Sequence, residues 1–101
     1  MSAIQVRESD NHDTVTISIH ERFDFTAHKE FRASYKEHLC PLKYVIDMQN
    51  VHYIDSSALG MMLLLREHAQ EYGGEVIIKN CSAEIMKILN IANFQRLFEI
   101  Q

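Results

Sequence analysis

The segment "YIDSSALGMMLLLRE", residues 53–67, joins a strand-like apolar run to a long apolar run with helical character. Three small polar residues stand between the two runs: Asp55, Ser56 and Ser57. A tight turn or a helix N-cap needs only one such residue. The junction therefore has more polar groups than a structural turn requires, and it is a candidate functional site.

Short apolar runs on both sides of this segment predict a small sheet. Strands are expected at 3–8, 14–20, 43–48 and 75–80, and the last seven residues form a short strand or an extended tail. The first two strands alternate apolar and polar residues and are joined by the turn-rich "SDNHD", which is typical of an antiparallel hairpin. The run at 43–48 lacks a clean alternation, which favours a strand buried on both faces.

Three helices are expected between the later strands. In residues 22–39, Ala27, Phe31, Tyr35 and Leu39 recur every four positions, with Thr26 as the N-cap and Pro41 just past the end. Residues 49–57 are predicted to be a connection, after which a second helix runs through Tyr72 and ends at the glycines 73–74. The third helix starts at the cap Ser82 and ends at about Ile91.

This order of elements predicts an α/β fold. Strands connected through helices run parallel by right-handed crossovers. We therefore expect a small mixed β-sheet of about four to five strands, with the helices packed mainly on one face. A chain of 101 residues suits a single domain spanning 1–101.

The second helix has an uneven distribution of apolar residues. Its expected core face consists of Ala58, Met61, Met62, Leu65, Ala69 and Tyr72. Leu59 and Leu63 point about 100–140° away from that direction, among polar residues. Either a neighbouring element covers these two leucines, or they form an exposed apolar patch beside the serines that docks a partner.

Composition excludes several classes of function. The net charge of −4, with charges interspersed, argues against nucleic-acid binding. No apolar run approaches the ~20 residues of a membrane span, and the N-terminus does not resemble a secretory signal, so we expect a cytoplasmic protein without membrane insertion.

Reactive and metal-binding motifs are also missing from the sequence. Cys40 and Cys81 form no C-x-x-C pair, and the six histidines show no H-x-H or H-E-x-x-H spacing. There is no G-x-S-x-G motif and no G-x-x-x-x-G-K-S/T motif. We therefore expect no metal, no cofactor and no enzymatic activity.

The paired serines favour a phosphorylation switch. One serine is expected to cap the helix, which leaves the other at the positive end of the helix dipole. A phosphate there would be stabilised by the dipole and the first N–H groups, but it would add about −1.5 to −2 charges to a docking surface. Such a site can change binding without unfolding the domain.

The segment "VIDMQNVHYIDSSALGMMLLLRE" resembles the signature of STAS domains, specifically of bacterial anti-sigma factor antagonists. The similarity extends along the chain through "RFDFTAHKEF" and "GGEVIIKNCSAEIMKILNIANFQRLFEI". The resemblance implies a protein that binds an anti-sigma factor, a GHKL-type serine kinase, and so releases a sigma factor. A PP2C-type phosphatase would reverse the phosphorylation.

Roles for individual residues follow from the same resemblance. Ser57 would be the phosphoacceptor, Asp55 would position the loop, and Ser56 would form a nearby hydrogen bond or cap the helix. Asp24 would border the same surface. The family often has glycine where this chain has Ala58, and the alanine methyl is expected to limit the approach of a partner's backbone.

Two other STAS functions remain as alternatives. The first is an adaptor subunit of a lipid ABC transporter, which needs no phosphoacceptor, so the intact "DSS" argues against it. The second is a STAS partner of another signalling protein, without a sigma factor.

Overall fold

A five-stranded mixed sheet organises the chain, and the computed structural model describes residues 3–36 and 42–101. The strands are β1 (Ile4–Glu8), β2 (Thr14–Phe23), β3 (Lys43–Ile54), β4 (Glu75–Lys79) and β5 (Glu99–Ile100). The helices are α1 (His28–Lys36), α2 (Ser56–Glu71) and α3 (Ala83–Ile91), with short 3₁₀ turns at Phe25–Ala27 and Phe94–Arg96. Leu39, Cys40 and Pro41, which the sequence analysis used, lie outside the described residues.

The strands lie in the spatial order β1-β2-β3-β4-β5. β1 and β2 form the expected antiparallel hairpin, with Val6 opposite Ile17, and the remaining neighbours pair in parallel. Three consecutive residues of β3 are buried, from Tyr44 to Ile46, which confirms a strand covered on both faces. The predicted mixed sheet is therefore confirmed.

The predicted connection at 49–57 is wrong, because β3 continues through Ile54. β2 likewise extends to Phe23, three residues beyond its predicted end. Two register shifts between β2 and β3, each with one extra residue on β3, let the extended strands stay paired, and Glu21 adopts a positive φ of 67° at the second shift. The buried residues of β3 consequently follow a spacing of three, from Met48 to Val51 to Ile54, which hides the strand from a two-residue pattern.

The helices pack on one face of the sheet around a common core. Buried side chains of the three helices pack against strand residues that face the same side of the sheet. Examples are Phe31, Leu65 and Leu89 from the helices and Ile17 and Ile46 from the strands. Val45 and Ile77 are buried side by side in the register of β3 and β4 but lie outside this cluster, on the opposite face. This confirms the predicted layering.

The helix ends follow the sequence in part. Gly73 takes a φ of 77° and ends α2, and Ser82 caps α3 through Ile85 N–H, both as expected. Tyr72 is 46% exposed and is the C-cap of α2 rather than a core residue. Thr26 is not an N-cap, because the residue that caps this turn is Asp24.

The imidazole of His68 lies among aromatic rings where α1, β3 and α2 meet. Its ring centre is 5.0 Å from that of Tyr35, 6.0 Å from that of Tyr44 and 5.2 Å from that of Tyr72. Burial lowers the pKa of His68, and the charge of Lys36 lowers it further, while Glu71 raises it.

This environment predicts a pH-dependent stability. Well above the ordinary histidine pKa of about 6.5, His68 is neutral in both the folded and the unfolded state. As the pH falls towards and through that value, the unfolded chain binds a proton that the folded chain resists, so the free energy of unfolding decreases. We expect chemical denaturation to show this loss setting in below about pH 7.5 and continuing as the pH falls towards the lowered pKa of His68 in the folded protein. His68→Phe should reduce the loss, whereas the exposed-site control His52→Gln should retain it. An equal loss in His68→Phe and wild type would contradict the prediction.

Candidate functional site

The extended strands β2 and β3 bring two aspartates together at their carboxyl ends. Phe23 pairs with Ile54 in the sheet, and the N–H of Asp55 donates to the carbonyl of Phe23 at 3.3 Å. Asp24 and Asp55 follow directly after these paired residues. The positions that open α1 and α2 are therefore held in a fixed relation by the sheet.

Asp55 links the two loops through both of its carboxylate oxygens. Its Oδ1 accepts from the N–H of Ala58 at 3.0 Å, and its Oδ2 accepts from the N–H of Phe25 at 3.4 Å. Asp55 is thus the N-cap of α2, so the expectation that a serine caps this helix is wrong. The expected role of Asp55 in positioning the loop agrees with these contacts.

Asp24 lies beneath the surface, with only 5% of the residue exposed. Its Oδ1 accepts from the backbone N–H of Thr26 at 3.0 Å and also from the Thr26 hydroxyl. Its Oδ2 accepts from Nε of Arg22 at 3.1 Å. These partners, first the Thr26 hydroxyl and then Arg22, lower the pKa of the Asp24 carboxyl. Asp24 therefore organises the loop from below and presents little of itself to a partner.

An aromatic side chain supports the same loop. The guanidinium of Arg22 lies 4.2 Å from the centre of the Tyr53 ring, an arrangement that allows cation–π attraction. Because Arg22 also binds Asp24, the end of β2, the end of β3 and the loop before α1 form one connected unit.

Both serines lie exposed in the first turn of α2. Since Asp55 supplies the side-chain cap, neither serine hydroxyl is needed for that role. Ala58, the next residue, is completely buried, so the expectation that its methyl limits a partner's approach is wrong. The helix start thus presents two hydroxyls at the positive end of a 16-residue helix.

An exposed strip of α2 continues from these serines. It consists of Ser56, Ser57, Gly60, Leu63 and Leu64, and we call it the α2 strip. A Cβ built on Gly60 would meet nothing within 4 Å, so the strip is open at its centre. Two leucines beside two hydroxyls on an uncovered helix face are suited to contact with a partner.

Leu59 does not belong to the α2 strip. It is partly buried and packs against the core, so Leu59 is covered by neighbouring elements and is not part of an exposed patch. Leu63 is exposed, as the docking alternative expects.

Two exposed apolar side chains on this side of the domain were not predicted from the sequence. Leu64 is 50% exposed on α2, and Phe25 is 69% exposed in the loop that Asp55 holds. The helical position of Leu64, away from the core direction, was a usable signal for it. Phe25 gave no periodic signal, because it lies in a 3₁₀ turn.

The different burial of Leu59 and Leu63 predicts different outcomes when each is replaced by glutamine. Leu59→Gln should lower the free energy of unfolding by about 1–2 kcal/mol, because it removes a packed apolar side chain. Leu63→Gln should change stability by no more than about 0.5 kcal/mol but should weaken partner binding. Urea denaturation and a binding titration on both variants test this. A larger stability loss in Leu63→Gln would show that Leu63 is a packing residue.

The residues that the structure describes contain no candidate metal site, and the one cysteine among them is not activated. Within residues 3–36 and 42–101, no three His, Cys, Asp or Glu side chains are grouped to hold a metal ion. Burial raises the pKa of the Cys81 thiol to about 11, which keeps it protonated and poorly nucleophilic at neutral pH. No helix in the described part of the chain has the length and apolar character to cross a membrane.

The fold and this helix start define a known class of domain. The family model for the STAS domain matches residues 3–101, and the chain belongs to this family. A STAS-domain containing protein of Pseudomonas aeruginosa strain UCBPP-PA14 is 48% identical over 99 residues, which cover 97% of this chain and 98% of that protein.

Solved structures share the fold at low sequence identity. A putative anti-sigma factor antagonist from Thermotoga maritima aligns with a TM-score of 0.83 at 17% identity, over 96% of this chain and 84% of that one. The anti-sigma factor antagonist SpoIIAA in its unphosphorylated form aligns with a TM-score of 0.76 at 20% identity, over 98% of this chain and 87% of that one. SpoIIAA of Bacillus in its phosphorylated form aligns with a TM-score of 0.73 at 19% identity, over 98% of this chain and 91% of that one.

The same fold also occurs in a transport context. A sulfate transporter family protein from Wolinella succinogenes aligns with a TM-score of 0.75 at 16% identity, over 83% of this chain and 70% of that one.

Proposed function

We propose that this protein is an anti-sigma factor antagonist whose binding is controlled by phosphorylation of Ser57. The observation that carries the proposal is the arrangement at the start of α2. Asp55 supplies the side-chain cap, while Ser57 remains exposed in the α2 strip, near Leu63 and Leu64 on the same helix face. A hydroxyl that the fold does not need, on a surface suited to docking, is available for a reversible modification.

The local electrostatics favour a phosphate at this position. The first turn of α2 carries the partial positive charge of the helix, and its N–H groups are oriented towards an added anion. A phosphate also adds about −1.5 to −2 charges and three acceptor oxygens to the exposed face of α2 that carries Leu63 and Leu64. The free domain would therefore tolerate the phosphate, whereas the binding of a partner with an apolar surface would be weakened.

The proposed role is binding and not catalysis. The carboxylates of Asp24 and Asp55 accept hydrogen bonds that hold the two loops in place, so both have a structural role. A serine nucleophile would need a base within hydrogen-bond reach.

The proposed partners follow the family resemblance. The unphosphorylated form would bind a GHKL-type serine kinase that acts as the anti-sigma factor, and a PP2C-type phosphatase would restore that form. Support comes from the fold shared with SpoIIAA, which is known in an unphosphorylated and a phosphorylated form. We place this switch in the cytoplasm, on a single STAS domain.

A second candidate is a STAS adaptor of a transporter, including a lipid ABC transporter. The fold shared with the sulfate transporter family protein supports it. The exposed serine pair distinguishes the two candidates, because an adaptor needs no phosphoacceptor. A STAS partner of a signalling protein without a sigma factor would use the same site with a different partner.

Phosphosite mapping tests the proposal. The protein isolated from its own cells should contain a fraction that is one phosphate heavier, and fragmentation should locate the phosphate on Ser57. The Ser57→Ala variant should lose this species, and the matched Ser56→Ala variant should keep it. Phosphate on Ser56 alone, or its absence under every growth condition that activates the partner kinase, would refute the assignment.

A further inference from the structure

A second surface feature lies between α1 and α2, outside the α2 strip apart from Leu64 on its rim. It is a groove of about 340 Å³ whose walls are the two helices. Tyr35 and Met61, which are almost completely buried, form part of its floor. Leu64 stands half exposed at its rim.

The two walls carry opposite charge. The α1 wall presents Arg32 and Lys36, four residues apart on one helix face. The α2 wall presents Glu67 and Glu71, with the same spacing. The groove is therefore basic along one side and acidic along the other, and its floor combines the apolar side chain of Met61 with the rings of Tyr35 and His68.

The charges on its walls limit what can occupy this groove. Two charged residues on each helix extend along it, so an elongated occupant meets more of them than a compact small molecule does. Nucleic acid and anionic membrane surfaces would be repelled by Glu67 and Glu71 on a chain with a net charge of −4. A helix satisfies all three features, because an apolar stripe can face the floor while each flank meets the opposite charge.

The length and position of the groove fit a short helix. The nine residues of α1 span about 13 Å at ~1.5 Å per residue, which corresponds to roughly two and a half turns of a facing helix. Both helices begin after the carboxyl ends of adjacent parallel strands, so the groove opens at the end of the domain that carries Ser57.

We infer that this groove binds an amphipathic helical segment of a partner protein, with acidic residues on the flank facing Arg32 and Lys36 and basic residues on the flank facing Glu67 and Glu71. The interaction goes beyond the phosphorylation switch, because none of these groups depends on the state of Ser57. A partner held here would keep a contact with the domain when the α2 strip is phosphorylated.

Designed peptides provide the test. The probe is a stapled helix of about 14 residues with a leucine stripe, glutamate on one flank and lysine on the other. Two control peptides carry glutamate on both flanks or lysine on both flanks. We expect the mixed peptide to bind at least fivefold more tightly than either control at low salt, with amide shifts in NMR spectra concentrated on α1 and α2.

Variants of the protein make the test specific. Arg32→Glu with Lys36→Glu should reverse the preference, so that the peptide with lysine on both flanks binds best. The matched control is Lys87→Glu with Arg96→Glu, an equal change of charge at exposed positions outside the groove, and it should retain the preference for the mixed peptide. Ser57→Asp should bind the mixed peptide as wild type does, which separates this inference from the phosphorylation proposal.

Three outcomes would overturn the inference. They are equal binding of all three peptides, no binding of any of them, and amide shifts on another surface. Self-association of the free chain in sedimentation experiments, abolished by Arg32→Glu with Lys36→Glu, would instead assign the groove to a second copy of this protein.

Discussion

Replacing Ser57 with Asp is expected to weaken binding to the partner kinase at least tenfold while the domain stays folded. In the free protein the new carboxylate lies in the first turn of α2, where the helix dipole makes it neutral or stabilising by up to ~1 kcal/mol. In the complex the same charge must be desolvated on the exposed face of α2 where the partner docks. An uncompensated charge at an interface costs several kcal/mol, and each 1.4 kcal/mol is a tenfold change in affinity.

A melting curve and a calorimetric titration on the same variant check this expectation. Ser57→Ala should bind as wild type does and should resist phosphorylation. If Ser57→Asp unfolds the domain, the hydroxyl is a structural group and the switch fails. Binding equal to wild type would place the interface elsewhere, unless enzymatically phosphorylated protein shows the loss that the carboxylate does not reproduce.

Replacing Asp55 with Ala is expected to lower the stability of the domain and to weaken partner binding at the same time. The substitution removes the cap on the Ala58 N–H, at about 0.5–2 kcal/mol, and the acceptor for the Phe25 N–H, at about 1 kcal/mol. The expected loss in the free energy of unfolding is therefore about 1.5–3 kcal/mol. Partner binding should fall as well, because Phe25 loses its tie to α2.

Asp55→Asn separates these two contacts. Its single carbonyl oxygen can still cap α2, since Asn is as good an N-cap as Asp, but its amide nitrogen cannot accept from Phe25. The Asn variant should retain most of the stability and lose part of the binding. Equal stability of wild type, Asn and Ala proteins in urea denaturation would show that the carboxylate does not organise this site.

The main features of the fold could be predicted because local patterns and the packed structure agree. The alternation in β2, the three consecutive apolar residues Tyr44–Ile46 in β3 and the glycine that ends α2 each have a local physical cause. The alternation in β1 is not matched by burial, because Val6 is exposed. The paired ends of β2 and β3 could not be predicted in this way. Their pairing depends on register shifts near Glu21, which are set by contacts between strands and not by the spacing of residues along one strand.

The residues of the site could be identified from the sequence, but the role of each residue in the folded loops could not. Asp55, Ser56 and Ser57 are all good cap residues, so propensity alone could not choose among them. The extended backbone of Asp55 after β3 makes it the cap, and this frees both serines. Asp24 was found through a family resemblance, and its burial follows from partners at Arg22 and Thr26 that only the folded loop brings together.

The central claim is that phosphate on Ser57 controls partner binding, and one paired titration tests it most directly. The kinase that modifies the chain is titrated with unphosphorylated protein and with protein phosphorylated on Ser57, under the same conditions. Our account predicts at least tenfold tighter binding of the unphosphorylated form, with both forms equally folded by circular dichroism. Equal affinities of the two folded forms would contradict it.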